Sequence, residues 1–190
     1  MAKLYFRYGA MNSGKSTAVL QVAHNYEERG MKVLIMKPAV DTKGDNKIDT
    51  RIGVTREVDV LLNPSERVHS FLTDKIDCII TDEAQFFTPE QIDEFFEIAV
   101  NEDIPVICYG IRTDFQRNMF PGSKRLFELA HSLEELKTIC RCGKKAIFNG
   151  RKVNGKFVFE GSQVAIDGAG EVTYESLCGK CYFEEKAKQH

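Results

Sequence analysis

Short apolar runs alternate with amphipathic stretches over the first two-thirds of the chain, which predicts an α/β fold with a parallel sheet. Leu4 to Tyr8 is a strand-like run that stops at Gly9. Lys15 to Arg29 has Val19, Val22, Ala23 and Tyr26 on one helical face, with Gly30 placed to end the helix. Val33-Leu34-Ile35-Met36 and Cys78-Ile79-Ile80-Thr81 lack polar alternation and read as strands buried on both faces. Between them, Asp41 to Gly53 is charged and contains glycine, so an exposed, mobile loop with almost no apolar anchor is expected. Ser65 to Leu72 reads as a short helix. Thr88-Pro89-Glu90 opens another, with Thr at the N-cap and Pro at the first helical position, and Ile92, Phe95, Phe96 and Ala99 keep helical spacing. Pro105 to Tyr109 is a fourth strand. Beyond about Leu136 the pattern changes to a glycine-rich strand-and-loop region between two cysteine pairs, and the polar end from Glu184 to His190 is expected to fray.

Composition adds limits to this picture. The 190 residues suffice for one domain with a small appendage, and 43% hydrophobic with 28% charged residues is an ordinary globular mixture. With 26 basic and 28 acidic residues the net charge is −2, which argues against a nucleic-acid-binding or membrane-binding surface. No apolar run reaches the ~20 residues that span a bilayer, and the start, Met1 to Arg7, has no signal-peptide pattern. A cytoplasmic location is therefore expected, where cysteines are metal ligands or buried thiols more often than disulfides.

Candidate chemistry begins where the first strand stops. Gly9-Ala10-Met11-Asn12-Ser13-Gly14-Lys15-Ser16 is a Walker A pattern between a strand and a helix. Its glycines let backbone N–H groups turn toward phosphate oxygens, Lys15 reaches the β- and γ-phosphates, and Ser16 offers a hydroxyl to Mg²⁺. Asp82 and Glu83 end the third strand as a Walker B pattern. Asp82 would serve Mg²⁺, and Glu83 is a candidate general base, or else a solvated strand-end acid. As neighbours on a strand their side chains should leave in opposite directions. Residues 1–136 are thus expected to form a nucleotide-binding unit and residues 137–190 a second, metal-binding one.

Cys140 and Cys142, followed by Gly143, and Cys178 and Cys181, enclosing Gly179, form a C-x-C and C-x-x-C set. Four thiolates in two tight pairs suit a closed, structural tetrahedral zinc site; the alternative is four unconnected free thiols. Cys78 and Cys108 lie in apolar strands and read as core residues, and His24, His69, His131 and His190 are scattered and have no assigned role in catalysis. The phosphate loop is expected to take its shape independently of the cysteine-bearing unit. Phe86 and Phe115 follow strand ends, where ligand clefts form, or are simply core aromatics. Besides a kinase, the residues leave open a P-loop ATPase whose zinc unit binds nucleic acid or protein, and a non-catalytic nucleotide-binding regulator.

Together these motifs resemble the zinc-containing, four-cysteine thymidine kinases. The resemblance rests on Gly9 to Thr17, Asp82-Glu83-Ala84-Gln85-Phe86-Phe87, Tyr109 to Phe115, the four cysteines and Tyr174. It implies a RecA-like P-loop core with a zinc-bound lasso over the nucleoside, and transfer of the ATP γ-phosphate to the 5′-hydroxyl of deoxythymidine. It implies ATP contacts from residues 9–16 and from Asp82, Glu83, Ala84 and Gln85, with Glu83 as the catalytic base. Met11, Phe86, Phe115 and Tyr174 would wall the nucleoside, and Gln163, Val164, Ala165, Ile166 and Asp167 would meet the thymine edge. The stretch Asp167 to Thr173 departs from the family by being longer than its glycine turn there. A homotetramer and inhibition by thymidine triphosphate are further implications.

Overall fold

The computed structural model describes residues 1–40, 46–72, 75–165 and 170–189. Strands β1 (Leu4–Tyr8), β2 (Val33–Pro38), β5 (Val60–Leu62), β6 (Cys78–Thr81), β7 (Val106–Gly110) and β8 (Ser132–Glu135) form one sheet in the order β5-β2-β6-β7-β1-β8. Every pairing in it is parallel. Parallel strands must be joined by crossovers, and helices on both faces bury both sides of the inner strands β2, β6 and β7. Alternate residues therefore enter different cores. Val33, Ile35, Cys78 and Ile80 pack with Val19 and Ala23 of α1 (Lys15–Glu27). Leu34, Met36 and Ile79 pack with Ile92, Phe95 and Ile98 of α2 (Pro89–Asn101) and Leu126 of α3 (Pro121–Leu129).

Local chemistry explains the boundaries. Thr88 accepts from the Gln91 N–H while the Gln91 side chain accepts from the Thr88 N–H, a reciprocal cap that starts α2 ahead of Pro89. α1 ends at Glu27, two residues short of the expected end, and Gly30 (φ +73°) turns the chain out of it. Ser65 to Leu72 is helical only as a 3₁₀ turn at Val68–Phe71.

The expected loop from Asp41 to Gly53 requires correction. Residues 41–45 lie outside the described residues, but β3 (Lys47–Asp49) pairs antiparallel with β4 (Thr55–Glu57). Ile48 is the anchor that the charged sequence hides: it is 1% exposed and packs in the α1-side core.

The C-terminal region has its own small core. β9 (Thr138–Ile139) and β10 (Lys145–Ala146) form a hairpin, and β12 (Lys156–Val158), β11 (Phe148–Val153) and β13 (Val172–Leu177) form an antiparallel sheet in that order. α4 (Gly179–Ala187) closes the region, so Glu184 to Ala187 belong to a helix rather than to a frayed end. Arg141 holds Glu185 at 2.5 Å. His190 lies outside the described residues.

Candidate active site

β1 and β6 are separated in the sheet by β7, so the Walker A and Walker B strands end side by side across one intervening strand. The segments beyond them meet over its end. Ser16 donates to an Asp82 oxygen at 3.2 Å. Lys15 Nζ donates to the Ala10 carbonyl at 2.8 Å and to Ser13 Oγ at 3.0 Å. The loop is compact because Gly9 has no side chain: a Cβ there would lie 2.4 Å from the Leu136 carbonyl oxygen and 2.7 Å from Ser13 Oγ. Gly14 (φ +81°) supplies the left-handed turn into α1.

The two acids part, although not by strand pleating. Asp82 is buried, and its other oxygen accepts from the Glu83 N–H at 2.9 Å. Glu83 has already left the strand, with φ +54° and ψ +36°. A non-glycine residue held in the left-handed region carries a conformational cost that clusters at functional sites. The turn sends the Glu83 carboxylate into a cleft, where Oε2 accepts from the Gln85 amide at 2.7 Å. The Gln85 oxygen accepts from the Ile111 N–H at 3.2 Å, which ties Glu83 to the end of β7. Gly110 must lack a Cβ, which would lie 2.7 Å from that oxygen. Ala84 has its side chain in the sheet core and leaves only its backbone for a nucleotide.

Burial pushes the Asp82 carboxyl above the usual carboxylate range. Burial and then the neighbouring Asp82 charge push Glu83 up as well. Lys15 is lowered by burial, against the pull of Glu83 and Asp82. Two adjacent carboxyls, one buried and one half-buried, hold a proton more readily than free acids do.

The cleft has a volume of about 540 Å³. Met11, Glu83, Gln85, Phe86, Phe115, Gln163, Val164, Ala165 and Tyr174 line it together, so these expected residues share one cavity. Ile166 and Asp167 lie outside the described residues. Phe86 meets Phe120 edge-on, with ring centroids 5.3 Å apart. Phe115 is both a core aromatic and a cleft wall, being only 2% exposed.

The sequence reading missed three residues around this cleft. Arg151 lies over the Phe115 ring at 3.8 Å, donates to the Ser162 and Gln163 carbonyls at 2.7 and 2.9 Å, and reaches the Tyr174 hydroxyl at 3.1 Å. Asp114 accepts from the Gln163 amide at 3.0 Å. Asn149 bonds the Met11 N–H at 2.7 Å and the Thr113 carbonyl at 3.1 Å. Arg151 and Asn149 sit in Asn149-Gly150-Arg151-Lys152, where nothing local separates an inward-facing polar residue from a solvated one. Asp114 adjoins Phe115 within a motif block already singled out, and that adjacency was the available signal.

The phosphate loop, expected to take its shape independently of the second unit, is in fact hydrogen-bonded to it. Besides Asn149, Ser176 donates to the Met11 carbonyl, and Thr138 to the Asn12 carbonyl at 3.3 Å. All three come from strands of the C-terminal region.

Cys140, Cys142, Cys178 and Cys181 present four sulfurs within 4.8 Å of one another, and the Cys142 and Cys178 sulfurs are 3.6 Å apart. Zn–S bonds near 2.3 Å in a tetrahedron place sulfurs roughly 3.8 Å apart, so the donor set fits zinc. The Cys181 N–H lies 3.5 Å from Cys178 Sγ and favours a thiolate there, the form a metal needs.

A phosphate loop leading from a parallel sheet into a helix, with a buried acid against its Ser16 hydroxyl, defines a P-loop nucleotide-binding protein of the α/β class. The thymidine kinase family model matches residues 2–182, and the chain belongs to that family. It is 44% identical over 191 residues to the thymidine kinase of Ruegeria pomeroyi, with 97% of this chain and 95% of that protein covered. It is 45% identical over 190 residues to the thymidine kinase of Chromobacterium violaceum, with 97% and 100% covered. The thymidine kinase of Legionella pneumophila strain Paris is 46% identical over 186 residues, with 94% and 88% covered. Among solved structures, the Pif1 helicase from Candida albicans aligns over 74% of this chain and 37% of that one, at 17% identity and a TM-score of 0.39, too slight to carry an argument.

Proposed function

We propose that the protein transfers the γ-phosphate of ATP to the 5′-hydroxyl of deoxythymidine, with Glu83 as the base. The observation that carries this reading is that the Glu83 carboxylate faces the aromatic cleft while its neighbour Asp82 turns to the phosphate loop. Residues 1–136 would bind the nucleotide, and residues 137–190 would hold the metal and cover the nucleoside.

Residues 9–16 would cradle the ATP phosphates, with Lys15 moving from Ala10 and Ser13 to the β- and γ-oxygens. Ser16 and Asp82 would hold Mg²⁺, which, when bound, offsets charge on the β- and γ-phosphates. Phe86, Phe115, Met11 and Tyr174 would wall the nucleoside, and Gln163, Val164 and Ala165 would present backbone to the thymine edge. Glu83 Oε1, free of the Gln85 bond, would take the 5′-hydroxyl proton as that oxygen bonds the γ-phosphorus and the bond to the bridging oxygen of ADP breaks. Four cysteine thiolates would hold a structural zinc that fixes β13 and α4. The family resemblance supports a homotetramer in the cytoplasm and inhibition by thymidine triphosphate. Light scattering tests the first of these and kinetics the last.

ATP turnover measured with and without deoxythymidine tests the reading. Nucleoside-dependent ADP release with formation of thymidine monophosphate is expected. Hydrolysis of ATP that is indifferent to deoxythymidine would instead favour an ATPase.

A further inference from the structure

Met11 is gripped from two sides by one cross-strand pair. Asn149 on β11 and Ser176 on β13 are directly opposed in the sheet register, and both are buried. The Asn149 oxygen accepts from the Met11 N–H at 2.7 Å, and the Ser176 hydroxyl donates to the Met11 carbonyl. The orientation of the Asn149 amide is fixed by its other bond, since its NH₂ group donates to the Thr113 carbonyl at 3.1 Å.

This matters because of what a phosphate loop must do. The N–H groups that meet the anion have to turn toward it, and the carbonyls, which repel phosphate oxygens, need donors elsewhere, while the Met11 N–H is held away by Asn149. Three successive carbonyls here have such donors: Lys15 on Ala10, Ser176 on Met11 and Thr138 on Asn12. Lys15 must release Ala10 to reach a nucleotide, which leaves the other two as the standing restraints. Asn12 itself sits at φ +71°, a conformation that a non-glycine residue keeps only when its surroundings hold it there.

We infer that Asn149 and Ser176 are positioning residues that preset the phosphate loop for ATP from the C-terminal antiparallel sheet. The inference rests on the phosphate-binding role proposed above for residues 9–16. Ser176 is the cleaner probe because, unlike Asn149, it does not line the nucleoside cleft.

The test is equilibrium binding of Mg·ATP to the full chain without nucleoside. Failure of the wild-type protein to bind ATP would refute the phosphate-binding reading itself. Given wild-type binding, Ser176→Ala should raise the Kd about fivefold, the scale of one lost neutral hydrogen bond. Ser176→Thr, which keeps the hydroxyl, should return to within twofold, and kcat at saturating substrates should stay near wild type in both. A Kd for Ser176→Ala within twofold of wild type overturns the inference, as does a loss that Ser176→Thr shares. Should Ser176→Ala not fold, amide exchange in the wild-type protein decides the matter: a slowly exchanging Met11 N–H supports the clamp, and exchange at the rate of an unprotected loop amide overturns it.

Discussion

In the proposed reaction Glu83 carries the proton transfer, and its neighbours hold it in place. Its left-handed backbone turns the carboxylate from the sheet into the cleft, and Gln85 fixes one oxygen there. Burial and the adjacent Asp82 raise its pKa. A general base must be deprotonated to act, so the rate should fall as pH drops through that raised value, with an acid limb above the ~4.3 of a free glutamate. A pH–rate profile under saturating substrates checks this, and a flat profile down to the ordinary carboxylate range would count against the assignment. Asp82 bonds Ser16, and as the proposed Mg²⁺ residue its change Asp82→Asn should weaken Mg²⁺-dependent ATP binding and leave deoxythymidine binding near wild type. Titration calorimetry with each ligand separates the two effects.

At the scale of elements, α2 owes its start to the Thr88–Gln91 cap, and Thr88→Ala should cost about 1 kcal/mol in denaturant unfolding without changing either KM. The 3₁₀ turn at Val68–Phe71 is pinned to α2 by His69, whose ring nitrogens lie 2.8 Å from Glu94 and 2.6 Å from Glu102. The bond to Glu94 is the main cause raising the His69 pKa. A raised folded-state value means that this contribution to stability is fully present below the unfolded pKa of ~6.5 and is lost as pH rises through the folded one. Thermal melts should therefore show a pH-dependent gap between wild type and His69→Gln that closes at alkaline pH. The elements most legible in the sequence were those with an unbroken apolar run or a cap, such as β2, β6 and α2. α3 is hard to read although Pro121 opens it, because Gly122-Ser123-Lys124-Arg125 hides its apolar face. The β3–β4 hairpin was hidden because its buried side, Ile48, is one residue among charges, too short a pattern for period-two alternation to show. In the site, residues within a local motif could be read, whereas Asn149, Arg151 and Ser176 act only through contacts made by folding.

On the scale of the whole molecule, the cleft lies where the parallel sheet and the C-terminal antiparallel sheet meet, and both supply its walls. Cys178 follows Leu177, the last residue of β13, so the sulfur cluster anchors the strand that carries Ser176 and Tyr174. Cys178→Ser should therefore weaken both deoxythymidine and ATP binding, with metal content falling in parallel. Unchanged ATP affinity in a metal-depleted protein would mean that the sheet keeps its shape without the cluster. The central claim, that a 5′-hydroxyl is deprotonated by Glu83 inside this cleft, is tested most directly by Glu83→Gln, which keeps size and hydrogen bonding but removes the proton acceptor. Steady-state phosphorylation of deoxythymidine should show kcat lowered by about 10²–10⁴-fold, with the binding constants for ATP and deoxythymidine within a few-fold of wild type. A near-normal kcat would contradict the account and leave the reaction to positioning and phosphate-charge neutralisation alone.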